Sequence, residues 1–141
     1  MDMLPAFELV PPGTLRDRLN DAVLRGAKTA TSRLAVMDEM AGTPAEPAGT
    51  RMRLLDSQQR TAAIVEITRA VVLPFGEVGV DVSEAEGEWL ADVEEWRAAH
   101  LRYWSSRLPE IRAHLSDDGW RITEETPVVV RFFRHVREDD Q

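Results

Sequence analysis

Residues 50–73, TRMRLLDSQQRTAAIVEITRAVVL, decide the fold. TRMRLLDS (50–57) and RTAAIVEITRAVVL (60–73) are both strand-like, and they meet at the short polar turn Gln58-Gln59. Two such runs around a tight polar turn form a β-hairpin. The second run is long enough to bend or to carry a bulge. Working outward, PVVVRFFRHV (Pro127 to Val136) reads as a closing strand led by proline, and residues 29–35 as a strand of small alternating side chains. LPAFELV (4–10) is a short first strand stopped by Pro11-Pro12-Gly13.

Helices are expected between these strands. Thr14 is placed to cap a helix to residue 25, with Leu15, Leu19, Ala22 and Val23 at helical spacing and Gly26 as the stop. In 74–91 a turn leads to a short helix, where Ser83 and Glu86 have the spacing of a capping box. Asp92 caps a longer helix to about residue 107, whose stripe is Val93, Trp96, His100 and Tyr103 or Trp104. MDEMAGTPAEPAG (37–49), with two prolines and two glycines, is expected to be a loop, and the tail after Val136 to fray. Several strands must pair non-locally, and the helices are too few to cover both faces of a parallel sheet. The expected fold is α+β: a small, mostly antiparallel β-barrel with flanking helices, in one domain spanning 1–141 with a core of about 7–136.

The chain has 141 residues, 43% hydrophobic and 30% charged, with a net charge of −8. This composition suits a globular protein with a real core. The acidic balance argues against tight nonspecific binding to duplex nucleic acid, whose affinity comes from neutralising phosphates. It leaves room for a nucleoside or a flexible strand in a local basic pocket. Without cysteine there is no disulfide, thiolate metal site or cysteine nucleophile. The chain shows neither a secretory signal nor an apolar run long enough to span a membrane, and the expected localisation is cytoplasmic.

Lys28 is the one lysine among 17 basic residues. A desolvated amine can serve as a base, whereas a guanidinium keeps its proton. Lys28 lies in Gly26-Ala27-Lys28-Thr29-Ala30-Thr31-Ser32-Arg33. In an extended chain Thr29, Thr31 and Arg33 face one side, and Ala30 and Ser32 the other. A lysine beside a hydroxyl can form a base–nucleophile pair, although threonine-rich strands with a nearby lysine are common on plain sheets. Glu84-Ala85-Glu86-Gly87-Glu88 could anchor an amine or simply begin a helix in solvent. Trp96, Arg97, His100 and Tyr103 could stack and bind a base, or pack the helix on the sheet. His114 and His135 are isolated, and no zinc spacing, phosphate loop or nucleophile elbow is present.

Taken in order, these strings resemble the ASCH family, a PUA-like β-barrel group, over about residues 7 to 136. The resemblance rests on the G-x-K-T-x-T-x-R string at Gly26 to Arg33 and the paired strands of 50–73. It continues through Val-x-x-Pro-Phe (Val71 to Phe75), the acidic A-E-G-E segment, the W-R-x-x-H helix and the closing strand. Some small members are amidohydrolases that deacetylate N4-acetylcytidine with a lysine, a threonine three residues later and a glutamate. The resemblance carries these roles to Lys28, Thr31 and Glu88. It implies Thr31 as nucleophile, Lys28 as proton acceptor and donor, and Glu88 as the group that orients Lys28 or binds the exocyclic amine. Thr29, Arg33, Trp96, Arg97, His100 and Tyr103 would contact substrate, with Arg33 or backbone N–H groups steadying the oxyanion. No metal or organic cofactor is required.

The 37–49 loop and the tryptophan-rich helix exceed the small hydrolases and resemble a longer bacterial ASCH subgroup. Two further readings use the same cleft: an RNA-binding module or ribonuclease, with single-stranded RNA as its partner, and a non-catalytic regulatory domain for a nucleotide-like ligand.

Overall fold

A computed structural model of the chain describes residues 3–43, 46–87 and 92–137. The hairpin of residues 50–73 lies inside a five-stranded sheet. Its strands are β1 (Ala6–Phe7), β2 (Ala30–Leu34), β3 (Arg51–Leu55), β4 (Thr61–Pro74) and β5 (Pro127–Val136), in the order β1-β3-β4-β5-β2. β1 runs parallel to β3, and the other three pairings are antiparallel. β4 is the longest strand because it pairs on both sides. It holds β3 with its first half and β5 along its length, and its register against β5 shifts between Ile67 and Arg69. Such a bulge bends a strand and increases its twist.

Among the described residues the sheet is open, with β1 and β2 as its edges, so the α+β class expected from the sequence holds and the expected barrel is replaced by an open sheet. The flanking helices are α1 (Thr14–Leu24), α2 (Ala35–Ala41), α3 (Val80–Glu86), α4 (Val93–Ser105) and α5 (Leu108–Leu115). None of them is long and apolar enough to cross a membrane. Buried side chains form two clusters. Phe7, Val23, Met52, Leu54, Ile67 and Phe133 make one. The larger collects Leu34, Phe75, Val82, Trp96, Trp104 and Ile111 around the α3–α4–α5 side.

Four local expectations change. The first part of 37–49 is helical: Ala35–Ala41 holds good helix formers, and Gly42 ends it in the left-handed region at φ 66°. The first strand is only two residues, because the prolines that follow leave little chain to pair. Gly13 occupies the N-cap of α1, so Thr14 is its first helical residue. Ser83 lies inside α3, where its hydroxyl donates to the Val80 carbonyl, so it is not the first half of a capping box. The Asp92 cap is present, with Oδ1 accepting from the Glu95 N–H at 2.9 Å. α4 ends at Ser105, and α5 follows at once with Pro109 in its first turn, where a missing N–H costs nothing.

Charged groups tie these layers. Buried Arg131 of β5 donates to Asp38 of α2 at 3.0 Å and to Glu46 at 2.6 Å. Burial opposes its charge, but the two carboxylates outweigh that and raise the Arg131 pKa above the ordinary arginine value. On the other side of the sheet, Glu66 of β4 accepts from Arg51 of β3 and from Arg134 of β5. These two guanidiniums, Arg51 first, hold its carboxyl below the usual glutamate range.

Removing one member of a buried ion cluster strands the rest, at about 3–5 kcal/mol. Arg131→Ala is therefore expected to destabilise the protein on that scale in urea unfolding. Equal stability would show that Asp38 and Glu46 find other partners. Glu66 gives a pH prediction. Its folded pKa lies below its unfolded one, so its contribution is present above the unfolded carboxylate range and fades as pH falls through the folded value. Melting curves of wild type and Glu66→Gln should differ at neutral pH and converge in acid.

Candidate active site

The turn between α1 and β2 places Lys28. Gly26, at φ 80°, ends α1 in the left-handed region. The N–H groups of Ala27 and Lys28 then both donate to the Ala22 carbonyl, at 2.9 and 3.1 Å. This reverses the chain and drives the lysine inward. Its side chain continues the buried face of β2, Ala30-Ser32-Leu34, while Thr31 and Arg33 lie on the half-buried face. The alternation read from the sequence is the one observed. Lys28 is 2% exposed, which removes it from the class of surface cations.

The end of α3 closes over this turn. The Thr29 N–H donates to the Ala85 carbonyl at 2.6 Å, and Lys28 Nζ donates to the Glu86 carbonyl at 3.2 Å. Gly87 then turns the chain at φ 57°, and a Cβ there would sit 2.2 Å from the Ala27 carbonyl oxygen. No other residue fits that approach.

Glu86 is the carboxylate at the centre of the site, at 1% exposure. Oε2 accepts from the Ser32 hydroxyl at 2.5 Å and from the Trp96 indole N–H at 2.9 Å. Oε1 faces His100 Nε2 at 3.3 Å and Lys28 Nζ at 3.7 Å. Four side chains from three segments thus converge on one carboxyl group, which is how a buried charge is tolerated.

Above this floor is a cavity of about 300 Å³, at the small end of the range for small-molecule sites. Lys28, Thr31, Ser32, Glu86, His100 and Tyr103 form its polar and aromatic wall, and Leu9, Leu15, Leu19 and Trp104 its apolar one. Arg18 of α1 adds a cation. A second cavity shares Ser32, Tyr103 and Trp104 with the first and is flanked by Arg33 and Arg107. Those two arginines are paired with Asp38 and Glu110.

The structure therefore brings together Lys28, Thr31, His100 and Tyr103. Glu88 lies outside the described residues. Thr29, Arg33, Trp96 and Arg97, expected to touch substrate, do not line the main cavity. Thr29 faces Ala85, with its hydroxyl 3.4 Å from that carbonyl. Arg33 faces Asp38 and the second cavity. Trp96 is completely buried, with its ring stacked on His100 at 4.1 Å. Arg97 pins α4 to the Gly76 and Val78 carbonyls. Sequence reading passed over Glu86 and Ser32 as individual site groups. The available signal was position: Glu86 is four residues beyond buried Val82, on the inward stripe of α3, and Ser32 shares the face of Ala30 and Leu34. Among the described residues no group of acids and histidines is arranged to hold a metal ion.

A mostly antiparallel sheet with a lysine-floored pocket at its edge strand defines a small α+β domain with a cavity. The sequence profile of the ASCH domain matches residues 7–137, and the chain belongs to that family. Its fold is similar to a crystal structure of a DUF984 protein from Enterococcus faecalis V583. The TM-score is 0.78 at 24% identity, over 96% of this chain and 79% of that one. It is also similar to an ASCH domain from Lactobacillus crispatus JV V101, with a TM-score of 0.74 at 21% identity, over 92% of this chain and 79% of that one. No curated protein matches the chain.

Gly87→Ala tests how the site is assembled. A side chain in the left-handed region costs about 1–2 kcal/mol, and here its Cβ also meets the Ala27 carbonyl. The variant should unfold at lower denaturant, and the indole N–H signal of Trp96 should move as Glu86 is displaced. An unmoved Trp96 signal would show that α3 does not depend on this contact.

Proposed function

We propose that this ASCH domain is a small amidohydrolase acting on an acylated nucleoside of the N4-acetylcytidine kind. The observation that carries the proposal is that the chain's one lysine and Thr31 both line a single cavity of about 300 Å³. Surface lysines are not held at 2% exposure against a carboxyl group and a carbonyl. The cavity is mainly apolar and aromatic with a few convergent polar groups, as a site for a flat heterocycle requires.

In this reading Thr31 Oγ1 attacks the acyl carbon and its proton passes to Lys28 Nζ. The C–N bond breaks, and Lys28 returns the proton to the leaving amine, giving the free nucleoside and an acyl-threonine. Water then releases the acid and restores the hydroxyl. Glu86 steadies Lys28 from below. Glu88 takes the role the family assigns it, orienting Lys28 or holding the exocyclic amine. Ser32, whose hydrogen is directed to Glu86, offers lone pairs to a substrate N–H. Tyr103 lies where a base would stack.

A second reading, binding or cleavage of single-stranded RNA, draws on the adjoining cavity with Arg33 and Arg107. It ranks lower because each of these arginines already has an acidic partner.

A panel of N-acylated nucleosides assayed beside short single-stranded RNAs decides between the two. Hydrolysis of an acylated cytidine, with about 10²-fold or greater loss in Lys28→Met and Thr31→Ala, is expected for a positioned acid–base and nucleophile pair. Thr31→Ser should retain part of the rate. Full activity in Lys28→Met would remove the lysine from the mechanism. RNA binding without amide hydrolysis would replace this reading with the second. Lys28→Arg is the poorer probe, because a larger guanidinium in a fully buried site would also disturb packing.

A further inference from the structure

The hydrogens around Glu86 can be placed one at a time. An indole N–H only donates, so Trp96 Nε1 gives its hydrogen to Oε2. The Ser32 hydroxyl is the donor in the second contact to Oε2. A carbonyl only accepts, so His100 Nδ1, 2.8 Å from the Trp96 carbonyl oxygen, must carry a hydrogen. That fixes one ring nitrogen. The other, Nε2, lies 3.3 Å from Glu86 Oε1. A bare Nε2 there would set its lone pair against a carboxylate oxygen. A proton must lie between them.

We infer that His100 carries this proton: it is an imidazolium in the folded protein and the counter-cation of Glu86. Three features support the assignment. His100 Nε2 is nearer to Oε1 than Lys28 Nζ is, 3.3 against 3.7 Å. Two hydrogen bonds to Oε2 favour the ionised carboxylate. The imidazole ring lies flat on Trp96 at 4.1 Å, and an indole face attracts a cation. The charged and titratable groups facing this pair, among the described residues, are Lys28 from the turn before β2 and, on the cavity wall, Tyr103 of α4 and Arg18 of α1. His100 is then a positioning residue. By engaging Oε1 it shares the Glu86 charge with the Lys28 ammonium. This role rests on the proposed amidohydrolase reading; the location of the proton does not.

Two measurements test it. The first needs no turnover. In protein labelled with ¹⁵N-histidine, three ring systems are visible, and His114→Gln and His135→Gln identify the third as His100. At pH 7.5, where an ordinary imidazole of pKa about 6.5 is mostly neutral, His100 should show two protonated nitrogens. Glu86→Gln should return it to a neutral ring with hydrogen on Nδ1. A neutral His100 in wild type at pH 7.5 overturns the inference, including the case in which Glu86 holds the proton.

The second measurement reads the role. His100→Gln keeps a donor toward Glu86 but no charge, so Lys28 becomes the counter-ion. The rising limb of the pH profile for amide hydrolysis should move to higher pH, with KM little changed. An unmoved limb overturns the positioning role. Absence of hydrolysis in wild type defeats the enzymatic reading and leaves the labelling result to stand by itself.

Discussion

One buried carboxyl group organises this domain. Glu86 ends α3, yet it is reached by hydrogens or cationic groups from β2, from the turn before it and from α4. An isolated carboxylate in that position would cost several kcal/mol. The chain therefore folds with Ser32, Lys28, Trp96 and His100 around it. The same contacts bring the edge strand, the lysine turn and the aromatic helix to one point. The cavity above is a consequence of that convergence.

Backbone groups also support the site. The Ala22 carbonyl holds the lysine turn, the Ala85 carbonyl holds Thr29, and the Glu86 carbonyl accepts from the lysine ammonium. Gly87 permits the last of these by letting two backbone segments meet with no side chain between them. On the far side of β2, Arg131 joins the sheet to α2 and to the segment after it through Asp38 and Glu46. The edge strand carrying Thr31 is thus held from both faces.

Aromatic side chains divide into two roles. Trp96 and Trp104 are core, packed around Phe75 with ring centroids about 6 Å apart. Tyr103, one position along the helix, is 36% exposed and faces the cavity. His100 stands between, stacked on Trp96 and bonded toward Glu86. The stripe that packs α4 on the sheet is thus also the wall of the site.

Much of this was legible in the chain itself. The hairpin at 50–73, the closing strand, the α1 helix with its glycine stop, and the Asp92 cap all follow from local periodicity and turn chemistry. Lys28 stood out as the sequence's single amine and Thr31 through the family resemblance of the string that holds both, and both line the cavity. Other features were decided only in three dimensions. Whether the strands close a barrel depends on how the two edge strands meet, and no local pattern sets that. The helix at Ala35–Ala41 stands in a proline- and glycine-rich neighbourhood, and its Asp38 pairs with Arg131, 93 residues later. The choice of Glu86 as the inward acid depends on where α3 ends against the Ala27 carbonyl. Local sequence encodes each element's own period and caps. The partners of a buried charge come from distant segments, so only the tertiary structure could show which acid the lysine meets.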